Sequence, residues 1–272
     1  MRAASRQSYA AGLEWLDGYA GDASPEQLRA VAEELLATAG LLAREVRLRR
    51  ALSDPARAGA DRAALLRGLL GDRVGEATRE LLDTLVAGRW SAPSELLDGC
   101  EQLGVQALLA SSDRAGALAE VEDELFRFGQ VVSGDRELAS AVGDRGVPVE
   151  RRGGLTDQLL SGATEITARL VRVALGGFGG RSVAGALTRL VELAAERRNR
   201  SVAYITVATP LSEVAEQRLG AALSARYRRD VSVKTTVDPR VLGGARVQIG
   251  ADLYDGTVAH RLAQARTALA TG

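Results

Sequence analysis

Apolar residues recur at three- and four-residue steps from the first residues to about Asn199, and at alternate positions after it. The first spacing is that of helices with one buried face, the second that of strands. Tyr9, Leu13 and Leu16 predict a short first helix over Ser5 to Tyr19. Ser24-Pro25-Glu26-Gln27 follows, with an N-cap serine, a proline at the first helical position and a glutamine placed to reach back. The helix it opens carries Leu28, Val31, Leu35, Leu42 and Val46 on one stripe and is expected to run to Ser53-Asp54-Pro55. Shorter helices are predicted around Asp61 to Leu70 and Gly75 to Val86, and a fifth from Ser94 to about Ala110.

The chain then repeats itself. A shift of 90 positions (144 − 54) lays Leu28 on Leu118, Val31 on Val121, Glu34 on Glu124, Leu35 on Leu125, Asp54 on Asp144 and Arg62 on Arg152. The same shift pairs Arg79 with Arg169 and Leu85 with Leu175, and lays Leu13 on Leu103 and Leu103 on Leu193. The pattern predicts a duplicated unit of long helix, break and two short helices, with the helix near Ser94 closing the first copy and opening the second. A cap at Ser112-Asp113 is expected to start the second long helix, and Gly176 to Gly180 to form a flexible connection before a helix over Ser182 to Asn199.

Beyond Asn199 the order reads strand (Ser201 to Val207), helix (Ser212 to Tyr227), strand, strand, helix (Val258 to Ala270), with the last two of three strands antiparallel. The fold class is therefore mostly α, an N-terminal helical bundle with a duplicated unit followed by a small α/β module. The expected domains are 1–110, 111–199 and 200–272.

Basic and acidic side chains balance at 35 each, so no net field draws the chain to nucleic acid or anionic lipid. Tyr204, Tyr227 and Tyr254 are not interleaved with a basic stripe, which argues against base stacking. No run approaches the ~20 apolar residues that span a bilayer, and Met1 to Tyr9 lacks a secretory h-region. A soluble chain reaching a membrane only through a partner is expected.

The run Val237 to Leu262, VDP..LGG.RV.IG....DG.V..RL, closely resembles the C-terminal signature of the delta subunit of rotary ATP synthases, the oligomycin-sensitivity-conferring protein of mitochondria. Ala208 to Glu213, ATPLSE, also resembles the start of that family's helix in the module. The resemblance implies a non-catalytic stator subunit, peripheral on the cytoplasmic face of a bacterial plasma membrane. Its helical bundle would capture the N-terminal segment of the alpha subunit, and its C-terminal module would grip the distal end of the b subunit. By position in that pattern the groove residues are Tyr9, Leu13 and Leu16 with Leu96, Leu97 and Leu103, and the module contributes Leu242, Gly243 and Gly244. Typical members carry one helical unit, so this chain departs from the pattern by one insertion. The alternative is a helical adaptor or scaffold outside the ATP synthase.

Reactive chemistry finds little support. Gly176 to Gly180 lacks the Lys-Ser/Thr pair of a phosphate-binding loop, and Gly243-Gly244 precedes a strand rather than a helix. One histidine, His260, and one cysteine, Cys100, cannot furnish a triad or a zinc site, so no catalytic, cofactor or metal residue is assigned. Cys100 reads as a small buried filler and excludes an internal disulfide. The purified protein is predicted neither to bind nor to hydrolyse ATP. Reproducible nucleotide affinity in a calorimetric titration would contradict this.

Overall fold

The helix beginning at Pro25 is opened by a reciprocal capping box. The Ser24 hydroxyl accepts from the Gln27 N–H at 3.2 Å, while the Ser24 N–H donates to Gln27 Oε1 at 2.8 Å. A computed structural model describes residues 1–198, 200–227, 230–249 and 252–258, which divide between two compact units, Met1–Leu190 and Val191–Gly272.

The first unit contains α1 (Ala3–Asp22), α2 (Pro25–Arg44), α3 (Val46–Leu52), α4 (Gly59–Leu70), α5 (Glu76–Ala87), α6 (Pro93–Arg114), α7 (Leu118–Gly134), α8 (Arg136–Gly143), α9 (Val149–Leu159) and α10 (Glu165–Leu175). It also includes the start of α11 (Val183–Arg197). The centre is α6, whose residues 103 to 112 are all buried. Its main partner is α2, and the two helices approach so closely that a Cβ on Gly104 would lie 2.8 Å from Leu36 Cγ. Only glycine permits that spacing. On other sides α6 meets α1, α5, α7 and α10, so one helix serves both halves of the repeat.

Two charged contacts recur in both copies. Glu34 on α2 accepts from the Gly75 N–H at 3.0 Å and from the Thr78 hydroxyl, at the start of α5. Glu124 on α7 accepts from the Thr164 N–H at 3.1 Å and the Thr167 hydroxyl at 2.6 Å, at the start of α10. At the other end, buried Arg62 on α4 donates to the carbonyls of Val86, Ala87 and Gly88 at 2.9 to 3.0 Å, and to that of Asp54 at 2.8 Å. Buried Arg152 on α9 donates to the carbonyls of Leu175 and Val142 at 2.8 Å and of Val147 at 3.0 Å. Each of α5 and α10 thus has an anion at its positive end and a cation on its orphaned carbonyls. The duplication holds in three dimensions, with one refinement. Capping residues are 90 apart (124 − 34, 152 − 62), but the capped ones are 89 apart (167 − 78, 175 − 86), so the second copy is one residue shorter before α10. Arg169 accordingly corresponds to Glu80, not Arg79.

The second unit carries β1 (Arg200–Val207), α12 (Glu213–Tyr227), β2 (Asp230–Val237), β3 (Ala245–Ile249) and β4 (Asp252–Asp255). The sheet order is β2-β1-β3-β4, with β1 parallel to β2 and antiparallel to β3. Buried Ala203, Ile205, Val207 and Val231 form its core, with Leu219 and Leu223 of α12 packed on them. The register turns Thr206, Thr236, Arg246 and Gln248 to the opposite, polar face.

Several expectations are corrected. The expected long second helix stops at Glu45, whose φ of −97° and ψ of 77° leave the helical region, so Val46 begins α3. Ser112 and Asp113 lie inside α6, and α7 starts without a side-chain cap. The Gly176 to Gly180 connection is anchored rather than flexible: Phe178 is fully buried and the Gly179 N–H donates to Glu101 at 2.9 Å. The sheet has four strands, not three. Strands β2 and β3 do not pair but flank β1, because the most apolar strand takes the centre. The last predicted helix, after Val258, and His260 lie outside the described residues.

Replacing Arg62 by Met is predicted to cost about 3 kcal/mol, since four backbone carbonyls lose a charged donor. Urea unfolding measures it, and a loss below about 1 kcal/mol would contradict the capping account. Burial pushes the Cys100 thiol up to about 12, with the Glu101 carboxylate adding to it. A thiol-specific reagent at pH 8 should therefore leave the native chain unmodified and react once on unfolding. Rapid native labelling would show the burial to be wrong.

Candidate functional site

Of the six groove positions expected on the helices, Leu16, Leu96 and Leu103 have no exposed surface, while Tyr9, Leu13 and Leu97 are half-buried. Leu103 lies against α1, where a Cβ on Gly12 would meet its Cδ1 at 2.9 Å. The buried stripe of α1 is Ser5, Ser8, Gly12, Leu16 and Ala20, four small residues and one leucine. Small side chains let α1 sit down onto α5 and α6, and the larger Tyr9 and Leu13 are left at its flank.

The opposite flank of α1 borders an open cleft that the apolar pattern does not mark. Trp15 and Tyr19 stack with ring centroids 5.3 Å apart and planes inclined by 16°. They form one wall, Ala30 and Val31 of α2 the floor, and Glu76, Ala77 and Glu80 on the first turns of α5 the other wall. The cleft encloses about 450 Å³. Its apolar parts are aromatic and aliphatic, and Glu76 and Glu80 stand exposed one helical turn apart along its rim. Glu34, at the base, is committed to holding the start of α5. The arrangement has the dimensions and chemistry to take an amphipathic helix with basic residues beside its apolar face. A Trp-x-x-x-Tyr pair on one helix face was the signal available for it in the sequence.

In the second unit the signature residues shape a turn. Gly243 and Gly244 have φ of 68° and 77°. A Cβ on Gly244 would lie 2.4 Å from the Gly256 carbonyl oxygen, so the turn closes against Gly256 only if that residue is glycine. Asp255 accepts from the Thr257 hydroxyl at 2.6 Å and its N–H at 3.0 Å and pairs with Arg246 across the β3–β4 ladder. These partners, Thr257 foremost, lower the Asp255 carboxyl to about 2. Leu242 is different: its side chain is 68% exposed at the tip of the turn. Among the described residues no cluster of three or more metal-ligating side chains occurs, and no helix is long and apolar enough to cross a membrane.

A profile of the ATP synthase delta (OSCP) subunit family matches residues 105–269, that is, from within α6 through the module. ATP synthase subunit delta of Salinispora arenicola is 63% identical over 269 residues, covering 98% of both chains. The subunit delta of Streptomyces griseus is 44% identical over 271 residues, covering 99% of this chain and 100% of its own. These relatives therefore align with the first helical copy as well as the second. A chain of the cryo-EM structure of the Toxoplasma gondii mitochondrial ATP synthase hexamer is 18% identical, with a TM-score of 0.38 over 61% of this chain and 94% of its own, too loose a likeness to argue from. Identity of this extent along the whole length displaces the reading as an adaptor outside the synthase: the chain belongs to the ATP synthase delta (OSCP) subunit family, a structural and non-catalytic part of the complex.

Proposed function

We propose that this protein is the stator coupling that joins the catalytic head of the synthase to its peripheral stalk. The helical body receives the amphipathic N-terminal segment of the alpha subunit, and the C-terminal module grips the distal end of the b subunit. The complex holds it peripherally, at the cytoplasmic face of the plasma membrane. Its work is mechanical. A rotating shaft exerts torque on the head, and the head turns with it unless it is tied to the membrane-fixed stator. Such a tie needs broad complementary surfaces and slow dissociation, not reactive groups.

The open cleft walled by Trp15 and Tyr19 is the observation that carries the reading, because it sets a stacked aromatic pair and an exposed acidic rim on either side of one apolar floor. Tyr9 and Leu13 on the other flank of α1 and Leu97 on α6 do not line the cleft and are kept as a separate, secondary contact surface. Leu16, Leu96 and Leu103 would support the seat from beneath, since they are wholly buried. In the module, exposed Leu242 is the contact residue, and Gly243 and Gly244 hold the turn that presents it. The division into 1–110, 111–199 and 200–272 belongs to this reading, the first two segments sharing α6.

A chain truncated after Asn199 is predicted to keep its helical circular-dichroism signal and to lose capture of the b subunit in a pull-down. In the full chain, Leu242→Asp should weaken that capture at least tenfold. Unchanged recovery of the b subunit by both variants would exclude the module as the stalk contact.

A further inference from the structure

The two helical copies present the same cleft in two states. Equivalent to Trp15 and Tyr19 on α1 are Val105 and Leu109 on α6, and both have no exposed surface. Equivalent to Glu76 and Glu80 on α5, at the spacing of 89 fixed by the capping contacts, are Glu165 and Arg169 on α10. Helix α2 lies beside this second site. It runs antiparallel to α6, with the Ser111 hydroxyl donating to the Pro25 carbonyl at 2.8 Å and Leu36 seated on Gly104. Its polar edge is tied to α10 by two ion pairs. Arg29 meets Glu165 at 2.7 Å, and Arg169 grips Glu33 through both carboxylate oxygens at 2.7 to 3.0 Å.

One helix thus does two jobs. Through Gln27, Ala30, Val31 and Glu34 it floors the open cleft, while through Arg29 and Glu33 it engages the α10 wall of the second one and through Ala32 and Leu36 it packs on Gly104 of α6. From this we infer that the docking site for the alpha-subunit segment is the first helical copy alone, and that α2 takes the equivalent place in the second copy in cis. The conclusion rests on the function proposed above and specifies which surface performs it. It also runs against the span of the family profile, which begins at residue 105 and so omits the copy that is open.

The closed cleft serves as a template for the occupant of the open one. In it a helix lies along the groove with a basic residue, Arg29, against the first wall residue and an acidic one, Glu33, against the cation four residues on. In the open cleft both wall residues are acidic. A helix seated in the same way would therefore carry basic residues at both of the corresponding positions, four apart, beside an apolar stripe that packs on Trp15, Tyr19 and Val31. Acidic residues at those two places would be rejected.

The test is a calorimetric titration of the full-length protein with a synthetic peptide of the cognate alpha-subunit N-terminal segment, with Trp15 fluorescence followed in parallel. One peptide per chain is expected, with a spectral shift from Trp15, since Trp90 is buried and bonded to the Leu85 carbonyl. Glu76→Lys with Glu80→Lys should weaken binding at least tenfold, and Arg169→Ala should leave it within twofold. Two peptides per chain, or binding lost with Arg169→Ala and kept with the double reversal, would overturn the assignment to the first copy while leaving alpha-segment docking intact. No binding by the unaltered chain would overturn both. Unchanged circular dichroism keeps the charge reversals interpretable, both residues being exposed.

Discussion

Everything in the helical body hangs on a charge placed at each end of one short helix. Helix α5 starts on the carboxylate of Glu34 and ends on the guanidinium of Arg62, and α10 does the same with Glu124 and Arg152. A helix of eleven or twelve residues is marginal alone, and its four bare N–H groups and four bare carbonyls would be costly to bury. Side chains from two different neighbours each take up backbone groups at one end, which ties the long helix, the short helix before the turn and the gripped helix together. Two such blocks share α6. The cleft inherits its rigidity from this arrangement, because Glu34 fixes the same first turn of α5 that carries Glu76 and Glu80.

Much of this was legible in the chain. The capping box at Ser24, the 3.6-residue stripes and the repeat near 90 residues are local or self-referential signals, and each survives in three dimensions. Glu34 on Glu124 and Arg62 on Arg152 were even among the aligned pairs, although nothing in a sequence comparison distinguishes a capping residue from a surface one. What escaped was set by tertiary contact. The stripe that α1 buries is made of serines, glycine and alanine, so hydrophobicity pointed to Tyr9 and Leu13 rather than to the face that packs. The break at Glu45 has no proline or glycine to announce it. The pairing of β1 with both β2 and β3 depends on which strand is most apolar, and a fourth strand of four residues is too short to show a period.

The cleft escaped for a related reason. Its walls come from positions 15, 19, 31 and 76 to 80, which no periodicity groups together. Only when α1, α2 and α5 are assembled do an aromatic pair and an acidic pair face the same space. Duplication then supplies an internal control, since in the second copy the residues equivalent to Glu76 and Glu80 are already paired with α2. A repeat that buries one of its two sites against its own first half gains a larger continuous core and keeps a single binding valence.

The most direct measurement is zero-length carbodiimide cross-linking in the assembled synthase, followed by mass-spectrometric assignment of the joined peptides. The account predicts that lysines of the alpha-subunit N-terminal segment couple to Glu76 or Glu80 in the first helical copy. Coupling of that segment to Glu165 or elsewhere on the second copy, with none at Glu76 or Glu80, would contradict it.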